Sequence, residues 1–243
     1  EITPELLYTC TDAFYNPSNM ALCAAGNLTM EQLLDAVERA GLPAEKAAPT
    51  RRVFPEEPLT IAEKERRFKM AVAMPLFALG FKEKPVAGNS THTEAVCDIL
   101  GELLCGETSR LYRRLYDEGL VQPGFGGEYG HNDGCLYHMF SGESNQPEKV
   151  RDAILEEIVR QRREGIDPRQ FDTCKRMMYG EAVAELESVQ QVAGHLSTSY
   201  FRGRTPAAEL AAIADMTLQG VEAALDEMLN EKRSAFVVVE PTV

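Results

Sequence analysis

The sequence predicts an α+β fold in which an antiparallel sheet is covered by helices. Three observations carry that expectation. From residue 66 to the end of the 243 residues, apolar stretches and breakers follow the order strand-strand-helix-helix-strand-strand-helix-helix-strand. The turn signal Asn132-Asp133-Gly134 joins two of those strands as an antiparallel pair. The opening of the chain also returns at its end, because Thr217, Asn230 and Phe236 stand 214 residues after Thr3, Asn16 and Leu22.

The opening unit starts with Thr3-Pro4, an N-cap followed by a proline at the first helical position, and its apolar stripe is Leu7, Cys10 and Phe14. Asn16-Pro17-Ser18-Asn19 breaks that helix, and Met20 to Ala25 is expected to be a short buried strand ending at Gly26. Thr29 with Gln32 has capping-box spacing and starts a helix that stops at Gly41-Leu42-Pro43. Residues 44–65, rich in Pro, Glu, Arg and Ala, then predict a semi-rigid linker.

The next domain is expected to open with two adjoining strands, Arg67 to Met74 and Leu76 to Phe81, or one strand bulged at Pro75. A helix after Asn89-Ser90 carries Val96, Ile99, Leu100, Leu103 and Leu104 on its buried face and ends at Gly106. A second runs from Thr108 to Glu118, with Gly119 as its stop. Strands over Val121–Gly130 and Cys135–Ser141 form the hairpin. Pro147 opens a helix ending at Gly165, and Asp167-Pro168 opens a long helical tract to about Ser199, with Gly194 as its candidate break. A helix after Thr205-Pro206 and a closing unit complete the domain: a helix capped by Thr217, a break at 230–233 and a strand over Ala235–Val239. The opening unit echoes this closing one, so the sequence reads as a duplicated domain with only the second copy whole. Residues 1–43 are then the tail of a preceding domain, and 66–243 a complete one.

A net charge of −13 offers no basic stripe for a phosphate backbone, which excludes nucleic acid and favours cationic peptides. No run is long enough to span a membrane. The six cysteines form no C-x-x-C pair and read as reduced core residues of a cytoplasmic protein. The first residue is not Met and no signal peptide is recognised, so the chain reads as trimmed or as a fragment.

Among residues with chemistry to offer, His92-Thr93-Glu94 has H-x-E spacing, but no P-C-x-x-C follows and a polar helix start accounts for it. His131 and His138 flank the hairpin turn without a third ligand in reach. The glycines of Gly124-Phe125-Gly126-Gly127 lack the Lys-Ser/Thr and helix of a phosphate loop. Strand bending or close backbone approach explains them better.

Three stretches resemble the pitrilysin/insulinase family of zinc metallopeptidases, the inverzincins, including their processing-peptidase-like bacterial members. They are Thr3-Pro4-Glu5-Leu6 with Tyr15-Asn16-Pro17-Ser18-Asn19-Met20 and Gly26-Asn27, Gly106-Glu107-Thr108-Ser109-Arg110-Leu111-Tyr112 with Leu115 and Gly119-Leu120, and the hairpin that follows. The resemblance implies two homologous α+β domains closing around a peptide, with zinc held in the first by H-x-x-E-H and a later glutamate. This sequence has no H-x-x-E-H. The expectation is therefore a portion that forms the wall of the peptide chamber opposite the zinc, with zinc in the full-length protein only and no catalytic or metal residue here. Active members carry an arginine at the end of the second helix and a tyrosine after the following Gly-Leu; the matching positions are Tyr116 and Gln122. Tyr116, Gln122 and Tyr129 are the candidate substrate-binding residues, while Arg110, Arg113 and Arg114 read as solvated or domain-contact charges. The replaced arginine and tyrosine keep a second reading open, a non-catalytic scaffold or partner subunit of the same family. An unrelated α+β binding domain is the third. Expected partners are a peptide or unfolded polypeptide, the missing domain, and a homo- or heterodimeric mate.

Overall fold

In the computed structural model, residues 2–42, 50–51, 53–54, 57–84, 91–132 and 134–242 are described. The chain divides into two compact units, one of residues 1–54 with 183–206 and one of residues 55–182 with 207–243. The second carries the sheet. Its strands are β1 (Glu65–Met70), β2 (Leu76–Glu83), β3 (Gly126–Asn132), β4 (Cys135–Glu143) and β5 (Ser234–Pro241), in the order β1-β5-β2-β4-β3. Every pairing is antiparallel except that of β1 with β5. The expected α+β class is therefore what the chain adopts.

Alternation explains why one face of this sheet is covered. Phe77, Leu79 and Phe81 on β2, Phe140 on β4, and Phe236 and Val238 on β5 all point into one core. They meet Val96, Ile99, Leu100, Leu103 and Leu104 of helix α3 (Thr91–Cys105). Val150, Ile154 and Ile158 of α5 (Pro147–Glu164) and Val221 and Leu225 of α9 (Leu218–Glu227) complete it. Truncating one of these fully buried side chains, Ile154 for instance, to alanine costs about 2–5 kcal/mol.

Several expectations are corrected. β1 and β2 are not neighbours, because β5 lies between them; the apolar pattern of two consecutive strands says nothing of a third inserted from over a hundred residues away. β1 is exposed along its whole length and is tied down by charge, with Arg67 bridging Glu65, Glu148 and Glu240. The first hairpin strand starts at Gly126 rather than Val121, since Pro123-Gly124 forms a turn in which Gly124 takes φ +101° and the Phe125 N–H donates to the Gln122 carbonyl. Asp133 and the Asn89-Ser90 start signal lie outside the described residues.

Unit 1 holds α1 (Pro4–Phe14), α2 (Met30–Ala40) and α7 (Val189–Phe201). The capping box of Thr29 and Gln32 forms, and Gly41 closes α2 at φ +60°. The tract after α6 (Pro168–Glu185) breaks at 186–188, where Ser188 caps α7, and not at Gly194, which sits inside α7. Met20 to Ala25 forms no strand. A lone strand leaves its backbone groups unpaired, and no described segment of this unit offers a ladder. Neither α1 nor α2 buries a residue, so Leu7, Phe14 and Leu34 lie exposed on stripes that ought to be covered. Of the predicted linker, residues 44–49, 52, 55 and 56 lie outside the described residues.

The repeat offset extends to hydrogen bonds. Thr3 caps α1 by accepting from the Leu6 N–H, and Thr217 caps α9 by accepting from the Gly220 N–H. Asn16 Oδ1 accepts from the Ser18 N–H at 2.9 Å and Asn230 Oδ1 from the Lys232 N–H at 3.0 Å, each opening a 3-10 turn, Pro17–Asn19 and Glu231–Arg233.

Candidate functional site

Tyr116 lies on helix α4 (Arg110–Asp117). Ser109 starts α4 by accepting from the Tyr112 N–H at 3.0 Å. Leu111, Tyr112 and Leu115 face the core, leaving Arg113, Arg114, Tyr116 and Asp117 outside. Gly119 ends the helix at φ +68°, where a Cβ would be strained, and the Leu120 N–H reaches back to the Leu115 carbonyl at 2.8 Å. The chain then runs through buried Leu120 and Val121 to half-buried Gln122, the Pro123-Gly124 turn and β3.

This path stacks three rings. Tyr116 lies on Tyr112 at 6.0 Å and 9° between planes, and Tyr112 on Phe125 at 6.0 Å and 17°. Phe125 is buried and Tyr116 half-exposed, so the ladder climbs from the core to the surface. At its top opens a cavity of about 460 Å³ lined by Glu107, Tyr112, Arg113, Tyr116, Asp117 and Pro123. Burial pushes the Tyr112 phenol up, helped by Glu107 and Tyr116. Gln122 is not part of this lining. Tyr129 is on β3, where its hydroxyl donates to buried Glu94 of α3 at 3.2 Å. Tyr116 is thus the one of the three candidate residues that lines the cavity.

β3 is an edge strand. Its glycines permit close packing: a Cβ on Gly127 would lie 2.7 Å from the Phe140 ring and 3.3 Å from the Gly101 Cα. Close backbone approach, rather than phosphate binding, is what these glycines serve.

A second polar group lies inside the core. Glu83, at 2% exposure, accepts from the Leu229 N–H at 2.6 Å and from Arg233 at 2.8 Å. His138, at 1% exposure, sits 3.9 Å from Glu83, and among the described residues neither of its ring nitrogens has a hydrogen-bond partner. The strand register sets His138 opposite Tyr129, not His131. Sequence reasoning passed over Glu83. The signal was there, because Glu83 continues the alternation Phe77-Leu79-Phe81 and His138 stands between Leu136 and Phe140.

His92 is exposed at the start of α3, as a polar helix start requires. Cys97, Cys105 and Cys174 are buried and free, whereas Cys10 is exposed and Cys23 and Cys135 are half-buried, so the expected all-core placement holds for three of the six. Among the described residues, no three His, Cys, Asp or Glu side chains form a group that could hold a metal ion.

The five-stranded, mostly antiparallel sheet with helices packed on it is a mixed α/β fold of the kind found in M16-like peptidases. Residues 1–178 match the model of the peptidase M16 inactive domain, and the chain belongs to that family. It is similar to the uncharacterized zinc protease YmfH of Bacillus subtilis, with 24% identity over 99% of this chain and 57% of that protein. An M16-like peptidase structure from Alicyclobacillus acidocaldarius superposes with a TM-score of 0.84 at 29% identity, covering 99% of this chain and 59% of that one. A peptidase M16 inactive domain from Pseudomonas fluorescens shares the fold, with a TM-score of 0.74 at 17% identity over all of this chain and 58% of the other. The chain thus spans less than two thirds of each relative. No described helix is long and apolar enough to cross a membrane.

Proposed function

We propose that this chain is the non-catalytic portion of a zinc-dependent peptidase and forms the wall of the peptide chamber opposite the zinc domain. The observation that carries this reading is the aromatic ladder Phe125-Tyr112-Tyr116, which rises into a cavity a few residues before an edge strand. An extended peptide added to a sheet edge gains main-chain hydrogen bonds from the strand and affinity from pockets beside it. Tyr116 supplies a ring face to such a peptide, Gln122 a hydrogen-bonding side chain, and Tyr129 stiffens β3 through Glu94. Zinc and the general base belong to the remaining part of the full-length protein.

In the same reading residues 1–43 are the tail of the zinc-type domain, 44–65 the linker and 66–243 the companion domain. Support comes from the caps repeated at 214 residues and from the uncovered stripes of α1 and α2. The free cysteines favour a reducing compartment, the cytoplasm.

The test is binding of a fluorescent, unstructured peptide by anisotropy, with Tyr116→Ala expected to weaken it roughly tenfold. Failure of every unfolded peptide to bind overturns the reading. Hydrolysis by the full-length protein, abolished by a chelator, is the companion result. The replaced arginine-tyrosine pair favours the alternative of a non-catalytic partner subunit, which predicts peptide binding without metal-dependent cleavage.

A further inference from the structure

Helix α7 lies far from α1 and α2 in sequence, yet it shares their compact unit rather than that of the sheet. One contact ties it to the stretch between those two helices. A Cβ on Gly26 would lie 3.8 Å from Val189 Cγ1, at the start of α7, and 3.6 Å from Leu28 Cδ2. Along the stretch that leads to Gly26 burial alternates, Ala21, Cys23 and Ala25 being half-buried and Leu22 and Ala24 exposed. One face of this stretch is thus covered although no described strand pairs with it. Helix α2, which follows it, half-buries Leu33 and Val37, one turn apart, and α7 half-buries Val192 and Ala193.

Breaks on both sides set α7 apart from its neighbours in sequence. Ser188 starts it by accepting from the Gln191 N–H at 3.3 Å, just after the interruption at Leu186-Glu187. Gly203, at φ +66°, follows its capping residue Arg202. His195 reaches back across the first break to Glu185 at 2.6 Å, a partly exposed contact of the kind that holds little. Helix α7 can therefore come away without unwinding α6. The chain passes between the two units at three places, 54–55, 182–183 and 206–207, so the opening unit is fastened through α7 as well as through the linker.

We propose that α7 is a strap: it docks on residues 20–28 and opens and closes with that stretch and α2 as one cooperative unit, separately from the helices on the sheet. The strap does not depend on the peptide-holding reading. Joined to the reading of residues 1–43 as the tail of a preceding domain, it means that the two portions of the full-length protein are held by a docked helix in addition to a linker. A unit that buries so little opens at low free energy, which brings it within reach of hydrogen exchange.

The test is amide hydrogen exchange read by mass spectrometry on the 243-residue chain, with Val189→Asp placing a charge at the Gly26 contact. Val189 is 57% exposed, so folding is not at issue. At the first position of a helix an aspartate favours the helix by itself, because it faces the positive end of the dipole; lost protection then reports lost docking and not lost helicity. Peptides covering 20–28, α2 and α7 are expected to exchange roughly fivefold faster, and those covering α3 and α5 at their original rate. Gln190→Asp adds the same charge one residue on, away from Gly26, and should leave every rate unchanged. Faster exchange in α7 alone, or no change anywhere, refutes the docking. Faster exchange of α3 and α5 together with α7 assigns α7 to the sheet-bearing unit and overturns the strap.

Discussion

Glu83 is a buried polar side chain whose removal should cost this fold about as much as truncating a core residue. Its two oxygens hold the turn between α9 and β5: one accepts from the Leu229 N–H at 2.6 Å, the other from Arg233 at 2.8 Å. Leu229 is the one described non-glycine residue at positive φ, +56°, a conformation that costs about 1–2 kcal/mol for a residue with a Cβ. The carboxylate offsets that strain. Charge-assisted bonds of this kind contribute about 1.5–3 kcal/mol each, and removing one partner of a buried ion pair costs about 3–5 kcal/mol because the other charge is stranded. Arg233 keeps one bond, to the Glu227 carbonyl at 3.0 Å, which places the expected loss for Glu83→Ala near the lower end, about 3 kcal/mol. Replacing both partners, Glu83→Met with Arg233→Met, leaves no stranded charge and should recover at least about 1 kcal/mol of that loss. The chain has no tryptophan, so urea unfolding followed by circular dichroism and tyrosine fluorescence is the appropriate assay. A loss below about 1 kcal/mol in Glu83→Ala, or a double variant no better than the single, refutes the role given to this carboxylate.

His138→Met should raise stability by about 1 kcal/mol, because it removes two buried ring nitrogens that have no hydrogen-bond partner among the described residues; a lower urea midpoint for this variant counts against that account. The Cys97 thiol is pushed up to about 12 by burial and by Asp98, Glu83 and Glu94. In the native protein at about pH 8, Cys97, Cys105 and Cys174 should resist iodoacetamide while Cys10 reacts, as mass spectrometry of the alkylated chain will read. For Glu157, burial works to raise its carboxyl, but the hydrogen bonds from Arg160 and Gln161 outweigh it and hold the group below its ordinary 4.5. A carboxyl lowered on folding contributes stability above that ordinary value and loses it as pH falls further, through the folded value. Glu157→Gln should therefore flatten the acid side of the stability profile below about pH 4.5, and an unchanged profile would rule the contribution out.

Much of the fold was legible because caps and periodicity are local. Thr29 with Gln32, Gly41, Gly119 and Thr217 all mark the ends they were expected to mark. What stayed hidden is non-local. Nothing within residues 65–83 says that β5 will slide between β1 and β2, and nothing within 20–25 says whether a second strand is at hand to receive it. β-structure is a property of pairs, so a strand-like sequence predicts a strand only where a partner exists. Hence Ala235–Val239 lies in a sheet, and the equivalent Met20–Ala25 in no ladder.

The site was legible only in part for a related reason. Tyr116 was singled out by the motif around it, and it lines the cavity, but the ring ladder beneath it joins residues of α4 to Phe125 beyond a turn. No spacing rule announces that stack. The polar core makes the complementary point. Glu83 and His138 occupy positions that alternation assigns to the interior, and their charge invites assignment to the surface instead. Where alternation and polarity disagree, burial followed alternation at both positions, and the chain met the cost in two different ways. For Glu83 it supplied Arg233 and the Leu229 amide; for His138 the described residues supply no hydrogen bond. A fold that satisfies one buried polar residue and not its neighbour makes the first the costlier of the two to replace, and so a substitution at Glu83 is felt at the α9–β5 turn.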